Sequence, residues 1–148
     1  MEIERKFLLV GEPPGLFQAP SHHIRQGYLV TTPQREVRLR RRDDDCFLTV
    51  KDGSGLERSE TEVSLAQAQF DLLWPLTSGR RVEKIRYLLP WEGLTVEVDI
   101  YEGDLAPLRV AEVEFGSREQ SERFVKPPFF GAEVTGRREY SNAWLARG

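Results

Sequence analysis

The sequence lacks the features that mark secreted and membrane proteins. Its 148 residues include one cysteine, Cys46, so the chain cannot form an internal disulfide. No apolar run is long enough to span a bilayer or to serve as a signal peptide. We therefore expect a reducing, cytoplasmic location and no membrane partner.

A strong net charge of either sign is also missing. The chain has 21 basic and 24 acidic residues and a formal net charge of −3, although 30% of its residues are charged. Proteins that bind polyanions through bulk charge are strongly basic. Nucleic acid is therefore not an expected partner, and any bound anion must be held by a local arrangement of side chains.

Length and alternation predict a single domain, residues 1–148, built mainly of β-strands. A chain of this size can bury a core without disulfides or metal clips. The sequence contains no internal repeat and no low-complexity stretch. Polar and apolar residues alternate with the period of a strand in eight segments, which are Met1–Phe7, Ile24–Thr32, Glu36–Arg42, Cys46–Lys51, Glu57–Val63, Arg80–Leu89, Leu94–Tyr101 and Arg109–Phe115.

The segments between the predicted strands are short and rich in turn residues. Asp43-Asp44-Asp45, Asp52–Gly55 and Pro90–Gly93 each predict a turn. Short connections favour antiparallel pairing, and eight is a common number of strands for a closed barrel. The expected fold is α+β, mainly antiparallel β, with a few flanking helices.

Three segments predict those helices. Ser64-Leu65-Ala66-Gln67 resembles a capping box and opens a helix that ends near Pro75. A second capping box begins at Ser117, and its helix ends before Pro127. The segment Tyr140–Leu145 predicts a last helical turn.

Two conspicuous patterns point to other kinds of site but lack support. His22 and His23 are adjacent, and no Cys or His stands at metal-ligand spacing from them, so we expect loop or strand-end residues. The run Arg40-Arg41-Arg42 could mark a nucleic-acid surface, but alternation splits it between two faces and no aromatic stacking series accompanies it.

Like charges come in pairs along one face of six predicted strands. Glu2 and Glu4 lie on the same face of the first strand because successive side chains of a strand alternate. Lys6 continues that row, and Lys51 adds another cation. The other pairs are Arg38 and Arg40, Glu60 and Glu62, Lys84 and Arg86, Glu97 and Asp99, and Glu112 and Glu114.

An open sheet with one solvated face would explain why charged residues lie on one side. It would not explain the pairing by sign, because neighbouring like charges destabilise a sheet and solvated faces usually mix signs. A sheet that closes around its charged face buries these groups, which is unfavourable unless each is paired or bound to metal. Clustered carboxylates suit Mg²⁺ or Mn²⁺, and clustered Arg and Lys suit phosphate oxygens. The pattern thus favours a water-filled tunnel that holds a divalent metal and a polyanion.

These motifs, taken in order, resemble the CYTH domain of the triphosphate tunnel metalloenzymes across essentially the whole chain. The C-terminal segments Glu133-Val134-Thr135 and Tyr140-Ser141-Asn142 are similar to the signature that ends this domain. The resemblance implies an eight-stranded antiparallel tunnel. The motifs are Glu2-Ile3-Glu4-Arg5-Lys6, Gln26-Gly27-Tyr28, Val37-Arg38-Leu39-Arg40, Leu48-Thr49-Val50-Lys51, Glu60-Thr61-Glu62, Lys84-Ile85-Arg86, Glu97-Val98-Asp99 and Glu112-Val113-Glu114.

The resemblance also implies a role for each charged position. The implied metal ligands are Glu2, Glu4, Glu97, Asp99, Glu112 and Glu114. The resemblance leaves open whether they bind one ion or two, and whether the ion is Mg²⁺ or Mn²⁺. Phosphate binding falls to Lys6, Arg38, Arg40, Lys51, Lys84 and Arg86. The catalytic residues would be Glu4, Tyr28 and Lys84, where Tyr28 and Lys84 either transfer a proton or only bind phosphate. Glu60 and Glu62 either hold metal or orient basic residues.

The expected activity is metal-dependent hydrolysis of a triphosphate, because the short stand-alone chain resembles the bacterial inorganic triphosphatases. An adenylate cyclase, or a thiamine or nucleoside triphosphatase of the same family, shares the metal and phosphate residues and stays an alternative. A non-catalytic module that binds polyphosphate or nucleotide is an alternative from another class. It would have no use for the full carboxylate set. We expect a monomer or a homodimer.

Overall fold

The computed structural model describes residues 3–53 and 59–147. This part of the chain contains nine strands and three α-helices. The helices are α1 (Gln67–Leu73), α2 (Arg118–Arg123) and α3 (Asn142–Leu145). The strands are β1 (Ile3–Leu9), β2 (Ser21–Thr31), β3 (Arg35–Arg42), β4 (Asp45–Asp52), β5 (Ser59–Leu65), β6 (Arg81–Trp91), β7 (Leu94–Tyr101), β8 (Arg109–Phe115) and β9 (Phe130–Glu133).

The described chain divides into two compact units that interleave along the sequence. The first comprises residues 3–22 and 84–138, and the second comprises residues 23–83 and 139–147. No helix in the described part of the chain is long and apolar enough to cross a membrane. The single domain expected over residues 1–148 stays a prediction.

The first unit is an antiparallel sheet with the strand order β6-β7-β8-β1-β9. One face of this sheet is mainly apolar because most alternate residues of its strands are Val, Ala, Ile, Leu or aromatic residues. These side chains, among them Phe7, Val96, Val98 and Val113, form a buried core. The other face carries the charged rows, so burying the apolar face fixes which side chains the charged face presents.

The second unit is an antiparallel sheet with the strand order β5-β4-β3-β2, packed on helix α1. Leu39, Cys46 and Phe70 form its buried core. A register shift between Tyr28 and Val30 marks a bulge in β2, so the alternation predicted through Val30 ends at Tyr28. The charged face again lies opposite the apolar one.

The predicted α+β fold with mainly antiparallel strands is confirmed, and each of the eight predicted strands is present. The predicted N-cap of the second helix is also confirmed, because Ser117 Oγ accepts a hydrogen bond from the Gln120 backbone N–H at 3.1 Å. The Gln120 side chain accepts from the Gly116 backbone N–H at 2.7 Å and not from Ser117, so the capping box is only half formed. The predicted last turn is present as α3. The ninth strand, β9, was not predicted. It is short, and both its hydrogen-bonding partner and its register depend on β1, far away in the sequence.

One local prediction was wrong in detail. The first helix does not begin at Ser64, because Ser64 and Leu65 pair with β4 at the end of β5. The helix begins at Gln67 instead, and the Gln69 side chain accepts a hydrogen bond from the Ala66 backbone N–H at 2.8 Å. His22 and His23 lie at the start of β2, which agrees with the strand-end placement expected for them.

Gly27 occupies a place in β2 where no larger residue fits. A Cβ atom at this position would lie 2.5 Å from Thr77 Oγ1. Thr77 is completely buried, and it cannot withdraw because its hydroxyl donates to the Trp74 carbonyl at 2.7 Å and accepts from Arg81 Nε at 2.9 Å. The glycine therefore lets β2 approach the segment that follows α1.

We predict that Gly27→Ala lowers the free energy of unfolding by about 1 to 3 kcal/mol, because the added methyl group overpacks this contact. Gly11→Ala is the matched control, since its Cβ would meet Phe129 Cβ at an ordinary 3.5 Å. Urea unfolding of both variants measures the difference. Equal stability of the two variants would contradict the packing argument.

Candidate functional site

The charged face of the first unit places acidic and basic residues in direct register. Lys6 of β1 pairs with Glu112 of β8, and Glu112 pairs with Glu97 of β7. In the next row Glu4 pairs with Glu114. Because facing residues of an antiparallel pair have Cβ atoms about 5 Å apart, one cation and several carboxylates share a small area.

Two of these carboxylates interact with each other. Burial raises the pKa of Glu112 to about 7, and a hydrogen bond to the Glu4 carboxyl and the charge of Glu4 add to the shift, although Lys6 and Arg86 oppose it. A pair of carboxyls this close needs a shared proton or a cation between them. Their oxygen atoms are the donors that Mg²⁺ and Mn²⁺ prefer.

The metal-ligand set is not fully assembled in the described residues. No three of the acidic side chains on this face bring their ligating oxygens within 4.8 Å of one another. Glu2, the other carboxylate predicted for this strand, lies outside the described residues. Glu4 and Glu112 therefore provide the part of the predicted metal site that the structure displays.

Asp99 lies at the centre of an ion-pair network with two cations of β6. Lys84 Nζ donates to Asp99 Oδ2 at 2.7 Å. Arg86 donates through Nε to Oδ1 at 2.8 Å and through Nη2 to Oδ2 at 3.0 Å. Burial alone would raise the pKa of Asp99, but the charges and hydrogen bonds of Lys84 and Arg86 outweigh it and lower the pKa to about 2. Asp99 is thus a permanent anion that holds both cations in place.

The same network bears on the choice between the two roles predicted for Lys84. Asp99 Oδ2 lies 2.7 Å from the completely buried Lys84 ammonium. A carboxylate at this distance favours the charged form of a lysine. The arrangement suits phosphate binding, and proton transfer by Lys84 stays a prediction.

A cavity of 350 Å³ lies at the end of the β6–β7 hairpin in this unit. Thr95, Glu97 and Glu114 line it together with backbone of Gly93 and Gly116. Burial raises the pKa of Glu97, and the carboxylates of Glu112 and Asp99 add to the shift, while Arg86 opposes it through an ion pair of 2.8 Å. The charged face of this unit therefore ends in an acidic cavity.

The charged face of the second unit is mainly basic near β2 and β3. Tyr28 pairs with Arg38, and Gln26 pairs with Arg40. Arg38 pairs in turn with Thr49 of β4, and Lys51 pairs with Glu60 of β5. The face therefore changes from basic at β3 to acidic at β5, where Glu60 and Glu62 are exposed.

The two arginines of this face have different surroundings. Arg38 Nη1 lies 3.7 Å from Glu36 Oε2, and the buried Arg38 Nε has no hydrogen-bond partner among the described residues. Arg40 Nε donates to Gln26 Oε1 at 2.7 Å. A buried guanidinium N–H without an acceptor is unfavourable, so an anion that reaches Arg38 would satisfy it.

Alternation splits the triple-arginine run as predicted: Arg41 lies on the face opposite to Arg38 and Arg40, and Arg42 lies at the end of β3. Arg41 Nε donates to the Asp43 carbonyl at 2.8 Å. The Arg42 guanidinium lies 5.8 Å from the centre of the Phe47 ring. Neither residue has a neighbouring aromatic series of the kind that binds nucleic acid.

The sequence analysis missed a polar contact on the apolar side of β1, the Arg5–Glu133 clamp, in which Arg5 binds the Glu133 carboxylate. Arg5 points away from the charged face, and its guanidinium donates to both oxygens of Glu133, from Nε at 2.9 Å and from Nη2 at 2.6 Å. Thr135 Oγ1 donates to Glu133 at 2.7 Å and accepts from the Lys6 backbone N–H at 2.9 Å. This clamp fixes the strand that carries Glu4 and Lys6. The signal in the sequence was an arginine at an otherwise apolar strand position.

The predicted site residues thus fall into two groups, one in each unit. The structure does not test the roles assigned to them, which stay predictions. The first unit brings together Glu4, Lys6, Lys84, Arg86, Glu97, Asp99, Glu112 and Glu114, and the second brings together Tyr28, Arg38, Arg40, Lys51, Glu60 and Glu62.

Comparison with known proteins finds relatives that match along the full chain. An inorganic triphosphatase of Nitrosomonas europaea is 47% identical, with 98% of this chain and 96% of the relative covered. An inorganic triphosphatase of Acetivibrio thermocellus is 35% identical, with 99% and 93% covered. A crystal structure of an inorganic triphosphatase superposes with a TM-score of 0.85 and 42% identity, and covers 100% of this chain and 95% of that one. No family model matches the chain.

We predict that Arg40→Ala lowers kcat/KM for an anionic phosphate substrate by about 10- to 100-fold, because a charged hydrogen bond is lost. Arg41→Ala is the matched control. It removes the same side chain from the next position of the same strand, where it faces the other way. Steady-state kinetics of both variants measure the effect. Similar losses in the two variants would contradict the placement of Arg40 on the binding face.

We also predict a pH-dependent contribution of the Arg5–Glu133 clamp to stability. The hydrogen bond and charge of Arg5 lower the pKa of Glu133 from 4.5 to about 2. A lowered folded-state pKa stabilises the protein above pH 4.5, and the contribution disappears as pH falls towards 2. Since Glu133 is partly exposed, we expect about 1 kcal/mol.

Urea unfolding of the wild type and of Glu133→Gln at pH 7 and at pH 3 tests this prediction. The difference between the two proteins should be largest at pH 7 and smaller at pH 3. A difference that grows as the pH falls would show that the ion pair is not its source.

Proposed function

Because the chain belongs to the family of inorganic triphosphatases, whose CYTH domain its motifs resemble, we propose that it hydrolyses a terminal phosphoanhydride bond of inorganic tripolyphosphate in a metal-dependent reaction. The match extends over 98% of this chain and 96% of the relative. The expected tunnel, in which the charged faces enclose the substrate, belongs to this proposal.

The observation that carries the proposal is the Glu4–Glu112 carboxyl pair beside Lys6. Burial and the neighbouring Glu4 carboxyl raise the pKa of Glu112 to about 7, so a divalent cation bound between the two carboxyls would relieve their repulsion. Lys6, in register with Glu112, is a cation adjacent to it. A site that binds only an anion would not concentrate carboxylates next to its lysine, because they would repel the anion. A site that binds an anion together with a divalent cation needs both.

The ion that fits these residues is Mg²⁺ or Mn²⁺. Glu4 and Glu112 would hold it, and the remaining predicted ligands are Glu2, Glu97, Asp99 and Glu114. All of them offer oxygen, which hard divalent cations prefer. When bound, the ion would withdraw charge from phosphate oxygens and assist departure of the leaving group.

The basic residues would then bind and orient the triphosphate. Lys6, Lys84 and Arg86 supply positive charge in one unit, and Arg38, Arg40 and Lys51 supply it in the other. Guanidinium groups bind phosphate oxygens in a planar, bidentate way, and ammonium groups act as point charges. Held in this way, the terminal phosphorus is open to in-line attack by water, and the cations stabilise the charge that spreads over the equatorial oxygens.

Asp99 would have a supporting part in this reaction. Its two oxygens hold Lys84 and Arg86 at 2.7 and 2.8 Å, so both cations keep their orientation while substrate enters and product leaves. Positioning of this kind provides much of the rate enhancement in phosphoryl transfer. We further propose that the enzyme works in the cytoplasm, in keeping with its single cysteine.

Product analysis tests the proposal. The protein should release orthophosphate from tripolyphosphate when Mg²⁺ or Mn²⁺ is present, and chelation of the metal should abolish the release. Cyclic AMP formation from ATP would instead show a cyclase. Tight binding of tripolyphosphate without turnover across a range of Mg²⁺ and Mn²⁺ concentrations would show a binding module.

A pair of variants makes the test specific to the proposed metal site. Glu4→Gln keeps the size of the side chain but removes a ligand charge, so it should raise the metal concentration needed for half-maximal activity. Glu122→Gln, an exposed carboxylate on α2, is the control and should leave that concentration unchanged. An unchanged metal response in Glu4→Gln would remove Glu4 from the site.

A further inference from the structure

Gln26 is a completely buried polar residue on the basic face of the second unit. It lies in β2 directly opposite Arg40 of β3, two residues before Tyr28, which lies opposite Arg38. The sequence analysis gave Gln26 no role. Burial of an amide is unfavourable unless its donor and acceptor are both satisfied, and here both are satisfied by residues of the proposed phosphate site.

The hydrogen bonds of Gln26 have only one consistent direction. Arginine donates hydrogen bonds and never accepts them, so the Gln26 atom 2.7 Å from Arg40 Nε must be the carbonyl oxygen. The amide nitrogen then faces the Tyr28 hydroxyl at 2.6 Å and donates to it. Tyr28 Oη is therefore an acceptor in this contact, and its own hydrogen must point elsewhere.

Among the described residues, none accepts a hydrogen bond from the Tyr28 hydroxyl. In residues 3–53 and 59–147, the one hydrogen bond at Tyr28 Oη is the bond from Gln26. Tyr28 shares its face with Arg38 and Arg40, and Arg38 Nε also lacks a partner in the same part of the chain. An unused O–H donor and an unused N–H donor in neighbouring positions define a place for an acceptor, and a phosphate oxygen is such an acceptor.

We propose that Gln26 is a positioning residue that holds the Arg40 guanidinium and turns the Tyr28 hydroxyl into a fixed hydrogen-bond donor for a phosphate oxygen of the substrate. The inference rests on the proposed function for the identity of that substrate. Of the two roles left open for Tyr28, it favours binding of the triphosphate over proton transfer.

The electrostatics of Tyr28 agree with this geometry. Burial raises the pKa of the Tyr28 hydroxyl, the charge of Glu36 raises it further, and the hydrogen bond from Gln26 and the charges of Arg38 and Arg40 do not compensate. A raised pKa keeps the phenol protonated, as a donor must be. A general base needs the opposite, because it must lose its proton within the working pH range.

A double-mutant cycle tests the inference. Tyr28→Phe removes the donor. Gln26→Glu keeps the size of the side chain and the bond from Arg40, but a carboxylate accepts from the Tyr28 hydroxyl and thereby takes its hydrogen away from the substrate. We expect each variant to lower kcat/KM for tripolyphosphate by about 10-fold or more, and the double variant to be no worse than the poorer single variant. Losses that multiply in the double variant would overturn the inference.

The pH dependence of kcat/KM separates a donor from a base. Loss of a donor lowers the rate by the same factor at every pH, so Tyr28→Phe should keep the shape of the wild-type profile. If Tyr28 were the general base, the limb of the profile that reports its ionisation would disappear in Tyr28→Phe. That result would overturn the inference even if Gln26→Glu failed to fold.

Binding measurements keep the inference and the proposed function distinguishable. The Kd of tripolyphosphate is measured by calorimetry for the wild type, the two single variants and the double variant. Metal is omitted, so that no turnover is required. Equal, non-additive losses of affinity in the two single variants support the donor contact whether or not the wild type cleaves the anhydride. An unchanged Kd in both variants would overturn it, and absence of cleavage by the wild type would defeat only the proposed hydrolysis.

Discussion

Repulsion between like charges on one sheet face is the constraint on which this structure depends. In the described residues it is relieved in three ways. Glu112 shares a hydrogen bond with the Glu4 carboxyl, Asp99 accepts from both Lys84 and Arg86, and Arg40 donates to a neutral amide. Each arrangement leaves a net charge, negative at Glu4 and Glu112 and positive at the other two, that a ligand of opposite charge can balance.

The apolar face makes this arrangement possible. Burial of Val96, Val98 and Val113 sets the register of β7 and β8, and a slip of one residue would exchange the two faces. The hydrophobic core therefore determines which carboxylates meet, although none of its side chains lies on the charged face. The Arg5–Glu133 clamp has the same effect on β1 through a polar contact.

The sequence predicted the strands and their faces because alternation is local. Each strand was found, and Lys6, Glu97 and Glu112 share a face as alternation required. Alternation could not predict which side chains contact one another across strands. It did not reveal that Asp99 is the counter-ion of Lys84, that Gln26 joins Arg40 to Tyr28, or that β9 pairs with β1, because each depends on a register set by distant parts of the chain. The first helix was placed too early because Ser64 satisfies both a capping pattern and a strand pattern.

The pairing of β1 has a consequence for how the protein is made. Arg5 and Glu133 are 128 residues apart, and the other partners of β1, in β8, are more than 100 residues from it. A ribosome must therefore synthesise most of the chain before Glu4 and Lys6 acquire their neighbours. Contacts between such distant residues form slowly because loop closure comes before the gain in contact energy. A nascent chain that stops short of β8 contains Glu4 and Lys6 but lacks Glu112 and Glu114, so the carboxyl pair of Glu4 and Glu112 forms only after synthesis has passed β8.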